Sequence, residues 1–176
     1  MANRLLIDTG AFIALFDSRD DLHEAATSFY RSVPGDTLRL TTEFVVGETY
    51  TFFRYRLGTK LAMAWLDYLD EARQSQYLRI EYATRAIVLK AESLLRRFSD
   101  QAMSYTDAVT LAWAEQNNVQ TIFGFDHQLA LTGLTVVPGP TKRKRVRRLT
   151  QSYAGNLAGL CGDAAAYVEG ERSSWP

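Results

Sequence analysis

Apolar and polar positions along this chain fall into short blocks whose period switches repeatedly between that of a strand and that of a helix. Arg4–Asp8 (RLLID) is a brief apolar run halted by Thr9-Gly10, which predicts a buried strand. Residues 10–17 and 21–32 then follow helical spacing, with Asp20 or Asp21 placed to cap the second helix and Pro34-Gly35 placed to break it. Leu38–Thr42 predicts a second strand, and Glu43–Leu57 a helix stopped by Gly58. Thr59 is placed to cap a further helix reaching about Arg73. Tyr77–Tyr82 (YLRIEY) alternates as a strand does. Helices are predicted at 83–98 and 105–117, on either side of a break at Ser99–Ser104. Val119–Phe123 and Leu134–Val137 predict the closing strands, around a short helix at 127–132.

Strands alternating with helices predict an α/β fold, with a mainly parallel sheet covered on both faces through right-handed crossovers. Pro138-Gly139-Pro140 punctuates its end, so the predicted domain spans 1–140, followed by an arm, 141–150, and a tail, 151–176. The tail mixes Gly, Ala and Ser with few large apolar residues, a composition that predicts flexibility. At 176 residues the chain suits one well-buried domain. Its longest apolar runs fall well short of the ~18 residues of a membrane span, and MANRLLIDTG lacks a signal-peptide pattern. The single cysteine, Cys161, excludes an intrachain disulfide, and a reducing cytoplasmic setting is expected.

Charge changes the picture at one place. The formal net charge is +0, from 20 basic and 20 acidic residues, yet the arm TKRKRVRRLT holds six of the basic residues and no acidic one. The body is therefore acidic and the arm basic. Lys142, Arg143, Lys144, Arg145, Arg147 and Arg148 are candidate contacts to a nucleic-acid backbone, set against the plainer reading of a solvated tail.

The candidate chemistry lies in four acids. In open parallel sheets, ligands bind beyond the carboxyl ends of the strands. Asp8 ends the first strand, Asp126 lies just past the strand 119–123, and Glu48 sits early in the helix that leaves the second strand. Asp107 opens a helix that runs antiparallel to the next strand, so it faces the same edge. Each aspartate has a plain structural reading. Asp8 can hold the turn at Thr9-Gly10, Asp107 has capping-box spacing from Ser104, and Asp126 can cap the helix after it. Glu48 is harder to explain that way. It shares a helix stripe with Phe44, Val45 and Phe52, and no basic residue lies within four positions. Gathered carboxylates of this kind suit a hard cation, which can activate water against a phosphate ester.

Among the other polar residues, Ser104 and Thr106 read as caps, because neither has an adjacent histidine base. His127 is a weaker candidate for substrate contact, and His23 reads as a solvent-facing helix residue. The stripe Phe44, Phe52, Phe53, Leu61 and Trp65 is expected to divide between core and dimer surface.

With those positions identified, the chain resembles the PIN-domain ribonucleases, and within them the VapC-type toxins of toxin–antitoxin pairs. The resemblance rests on LLIDTGAFIALFD, TTEFVVGETYTFF and SYTDAVTLAWAEQNNVQTIFGFDHQLALTGLTVVP, in that order and spacing. It implies a three-layer α/β/α fold with five parallel strands in the order 3-2-1-4-5. It also implies Mg²⁺- or Mn²⁺-dependent RNA cleavage at Asp8, Glu48, Asp107 and Asp126, supported by Thr9, Ser104 and Thr106. A homodimer neutralised by a small antitoxin is implied as well. Two positions depart from the family pattern: Gly10, where a small polar residue is commoner, and Gly124, where many members carry threonine or serine.

Three rival readings are weaker. The string LLIDTGA is similar to the loop of retroviral-type aspartic proteases, but helix-forming sequence follows it instead of glycine-rich strands. A haloacid-dehalogenase-type phosphatase would want an acid where Gly10 stands. A non-catalytic RNA- or protein-binding module using the basic arm is the remaining alternative, and gathered negative charge gives such a module no advantage toward RNA.

Overall fold

The computed structural model describes residues 3–140, so the predicted arm and tail lie outside the described residues. Five parallel strands, β1 (Arg4–Ile7), β2 (Leu38–Thr42), β3 (Arg79–Glu81), β4 (Thr121–Gly124) and β5 (Thr135–Pro138), form one sheet in the order β3-β2-β1-β4-β5. The expected class and strand order are both present. Strand order reverses beside β1, whose Leu6 aligns with Leu40 on one side and Ile122 on the other.

Alternation along β1 builds two cores. Leu5 and Ile7 point to one face, covered by α1 (Thr9–Phe16), α2 (His23–Ser32), α3 (Glu43–Phe52) and α4 (Thr59–Gln74). Leu6 points to the other, where it packs with α5 (Arg85–Arg97) and α6 (Tyr105–Gln116). Both faces of β1 are thus dry, which is why its sequence is continuously apolar. On the first face Trp65 is fully buried against Phe12, Phe16 and Phe53, at centroid distances of 4.7, 5.4 and 6.1 Å. Burying one such side chain contributes roughly 2–3 kcal/mol. In the aromatic stripe Phe53 and Trp65 are buried, whereas Phe44, Phe52 and Leu61 are half-buried at the edges of the two cores.

Several boundaries differ from the sequence reading. The helix expected over 43–57 is α-helical to Phe52 and then widens to a π-helical turn, Phe53–Leu57, before Gly58 at φ 101° ends it. Gly58, rather than Thr59, occupies the cap position of α4, and its positive φ suits a residue without Cβ. α2 begins at His23, two residues later than expected, with Leu22 at the cap position and the Asp20 carboxylate accepting the Leu22 amide at 2.9 Å. β3 is only three residues long, because Tyr77 and Leu78 still bond back to Ala72 at the end of α4.

Candidate active site

β1 delivers Asp8 to the carboxyl edge of the sheet at the reversal point. Its backbone is extended and its amide donates to Phe123 O at 3.0 Å, so the strand pairing carries one residue beyond β1. Asp8 is also the N-cap of α1, with Oδ2 accepting the Gly10 amide at 3.0 Å. The residue is 5% exposed, and Oδ1 is buried without a hydrogen-bond partner. Its pKa is raised from the usual 3.8 to about 7. Burial is the largest cause, followed by the Asp107 charge and, less strongly, that of Glu48, while the Gly10 and Thr9 amides pull the other way.

Those two charges arrive from different elements. α3 begins at Thr42, whose hydroxyl accepts the Val45 amide, and it carries Glu48 half-buried on its second turn. Thr9, the first residue of α1, donates its hydroxyl to Glu48 Oε2 at 2.6 Å. That bond fixes the glutamate across a sequence separation of 39 residues. Asp107 stands in the first turn of α6 within a reciprocal capping box: Ser104 Oγ accepts its amide at 3.0 Å, and its Oδ2 accepts the Ser104 amide at 2.9 Å. The plain structural readings of these acids are therefore fulfilled, and they do not compete with a functional one. A cap bond on one oxygen sets where the carboxylate stands.

Asp126 lies past the end of β4, at the same sheet edge. It caps the 3₁₀ turn His127–Ala130 by accepting the Gln128 amide at 3.0 Å on Oδ1, which also lies 3.2 Å from His127 Nδ1. Its side chain is 44% exposed, so it meets solvent where Asp8 does not. The structure thus couples Asp8, Asp107 and Glu48 electrostatically and places Asp126 on the adjacent strand's exit. Gly124 explains part of this edge. A Cβ there would stand 2.6 Å from Leu129 Cδ1 and 3.4 Å from Asp8 Cβ, so the buried Leu129 methyl occupies the space a threonine or serine side chain would need.

Among the described residues, no three His, Cys, Asp or Glu side chains are already disposed as a metal shell. The donor chemistry nevertheless fits a hard divalent cation: oxygen donors only, one of them buried and unpartnered, in a field that resists ionisation.

One feature beside the acids was not visible in the sequence. Glu43, Phe44, Gly47, Glu48 and Thr106 line an open groove of about 420 Å³. Glu43 Oε1 accepts the Ala83 amide at 2.7 Å, tying the exit of β3 to the start of α3. In the sequence Glu43 looks like an ordinary first-turn acid.

One relative and one structural neighbour cover most of this domain. The chain is 27% identical over 133 residues to the "23S rRNA-specific endonuclease VapC20" of Mycobacterium tuberculosis, covering 76% of this chain and 97% of that protein. The crystal structure of that VapC20, described as a sarcin-ricin loop cleaving toxin, superimposes with a TM-score of 0.66 over 74% of this chain and 96% of its own. VapBC-1 of nontypeable Haemophilus influenzae shares the fold at 12% identity and a TM-score of 0.55, over 76% of this chain and 96% of its own. Residues 5–133 match the PIN domain. On that match, which spans most of the chain and accords with the five-stranded parallel sheet, the chain belongs to the PIN-domain family.

Proposed function

We propose that this protein is a divalent-metal-dependent endoribonuclease and acts as a toxin restrained by a small antitoxin. The observation that carries the reading is Asp8. A carboxylate buried to 5% exposure, with one unpartnered oxygen and two acidic neighbours raising its pKa, is a costly arrangement unless a cation compensates it. The similar VapC20 is named as an rRNA endonuclease, and VapBC-1 is a solved relative of the same fold.

In this reading Asp8, Glu48 and Asp107 hold Mg²⁺ or Mn²⁺, and Asp126 completes the site directly or through water. When bound, such an ion makes water more acidic and offsets charge on phosphate oxygens. Thr9 orients Glu48 through its 2.6 Å bond, and Ser104 fixes Asp107 through the capping box. Thr106, buried at the groove, supports the same helix start. A homodimer is part of the proposal, and the exposed apolar side chains of Tyr55, Met63 and Leu66 on the π-turn and α4 suit such a contact.

Asp8→Asn and Asp107→Asn should each nearly abolish Mn²⁺-dependent cleavage of ribosomal RNA while far-UV circular dichroism stays unchanged. Mn²⁺ should raise the melting temperature of the parent protein and leave that of Asp8→Asn nearly unmoved. Full cleavage by both variants after chelation and reloading would refute the mechanism.

A further inference from the structure

One aromatic residue, Phe44, lines the groove beside Glu48, and a second ring packs against it. Phe44, on the first turn of α3, lines it half-buried, and its ring meets that of Tyr105 at a centroid distance of 5.8 Å and 38° between planes. Tyr105 is the first residue of α6, two before Asp107, and it keeps 41% of its surface exposed. The two helices that carry Glu48 and Asp107 thus contribute one ring each to this pair: Phe44 lines the groove, and Tyr105 extends the aromatic surface beyond its edge. The groove's own charged residues, Glu43 and Glu48, are both acidic. It thus disfavours a phosphate and favours a neutral, flat group that can donate hydrogen bonds.

We propose that the Phe44–Tyr105 pair is a stacking ledge for the nucleobase adjoining the phosphate that is cut. The inference rests on the nuclease reading and adds to it a substrate feature. In that reading a phosphate meets a cation held at Asp8 and Asp107, and the groove lies beside that place: Glu48, whose charge reaches Asp8, and Thr106, next in sequence to Asp107, both line it. Aromatic faces accept any base, so the ledge selects for an unstacked base and leaves the choice of sequence to other contacts.

The test separates stacking from chemistry. Tyr105→Ala should lower kcat/KM on single-stranded oligoribonucleotides by roughly tenfold, while Tyr105→Phe, which keeps the ring, should stay within about twofold of the parent. In an Asp8→Asn background that cannot cleave, a short single-stranded RNA carrying one 2-aminopurine should show quenched fluorescence on binding. Adding Tyr105→Ala should abolish the quenching, and Tyr105→Phe should preserve it. Parent-like cleavage and quenching by Tyr105→Ala would overturn the ledge. So would a change in sedimentation with quenching intact, which would make the pair a protein-contact surface. If the parent cleaves no RNA with any divalent cation the nuclease reading falls, and the quenching series still decides whether the rings bind bases.

Discussion

Asp8 concentrates the physical tension of the molecule in one side chain. Its pKa of about 7 in the folded protein compares with 3.8 when unperturbed, so between those values the folded state binds more protons than the unfolded chain. The sign follows: the stabilisation is complete below about pH 3.8 and is lost as pH rises toward about 7, at ~1.4 kcal/mol per pH unit of that window. In EDTA the melting temperature should therefore fall between pH 5 and pH 8. Asp8→Asn, which cannot ionise there, should flatten that fall and melt higher than the parent at pH 8. Parallel profiles for the two proteins would show that Asp8 does not titrate as its surroundings imply. The same ionised, crowded state is the one a divalent cation would favour, so added Mn²⁺ should recover the lost stability at pH 8 in the parent alone.

At the level of elements, strong periodicity made the architecture legible and weak local signals blurred its edges. β1 and β4 were readable because both are buried on two sides, and runs such as RLLI leave no other use for their residues. The π-turn at Phe53–Leu57 was not, since apolar spacing of three and four continues through it and only the hydrogen-bond pattern changes. β3 was overextended because YLRIEY alternates along its whole length, while the backbone gives its first residues to the end of α4. At the site, the capping box of α6 was legible as Ser104 and Asp107 three apart, whereas the Thr9–Glu48 bond and the Phe44–Tyr105 contact join distant segments and leave no local trace. The capping box also yields a test. Ser104→Ala removes one of its two bonds and should cost about 1 kcal/mol, a fall of roughly 2–4 °C in melting temperature. Because the Ser104 amide still donates to Asp107 Oδ2, cleavage at saturating Mn²⁺ should largely persist. A loss as deep as that of Asp107→Asn would give the hydroxyl a chemical role instead.

For the whole molecule, the proposed activity sets a difficulty: an acidic site would have to attract a polyanion. The carboxylates at the sheet edge and the acidic groove repel RNA at distance, and the domain that carries them is itself net acidic. We propose that the basic arm compensates: Lys142, Arg143, Lys144, Arg145, Arg147 and Arg148 fall within seven positions, just after the predicted domain. Each phosphate these residues neutralise releases counterions and contributes a slope of ~0.7 to the dependence of log affinity on log salt for a single strand, so six contacts would contribute ~4. Replacing all six by glutamine should therefore weaken RNA binding most at low salt and flatten that dependence by up to about 4. The turnover of bound substrate should be unaffected, because the proposed cutting residues lie in the domain before the arm. An unchanged salt slope would assign RNA capture to the domain's own surface, and the arm would then take no part in holding substrate.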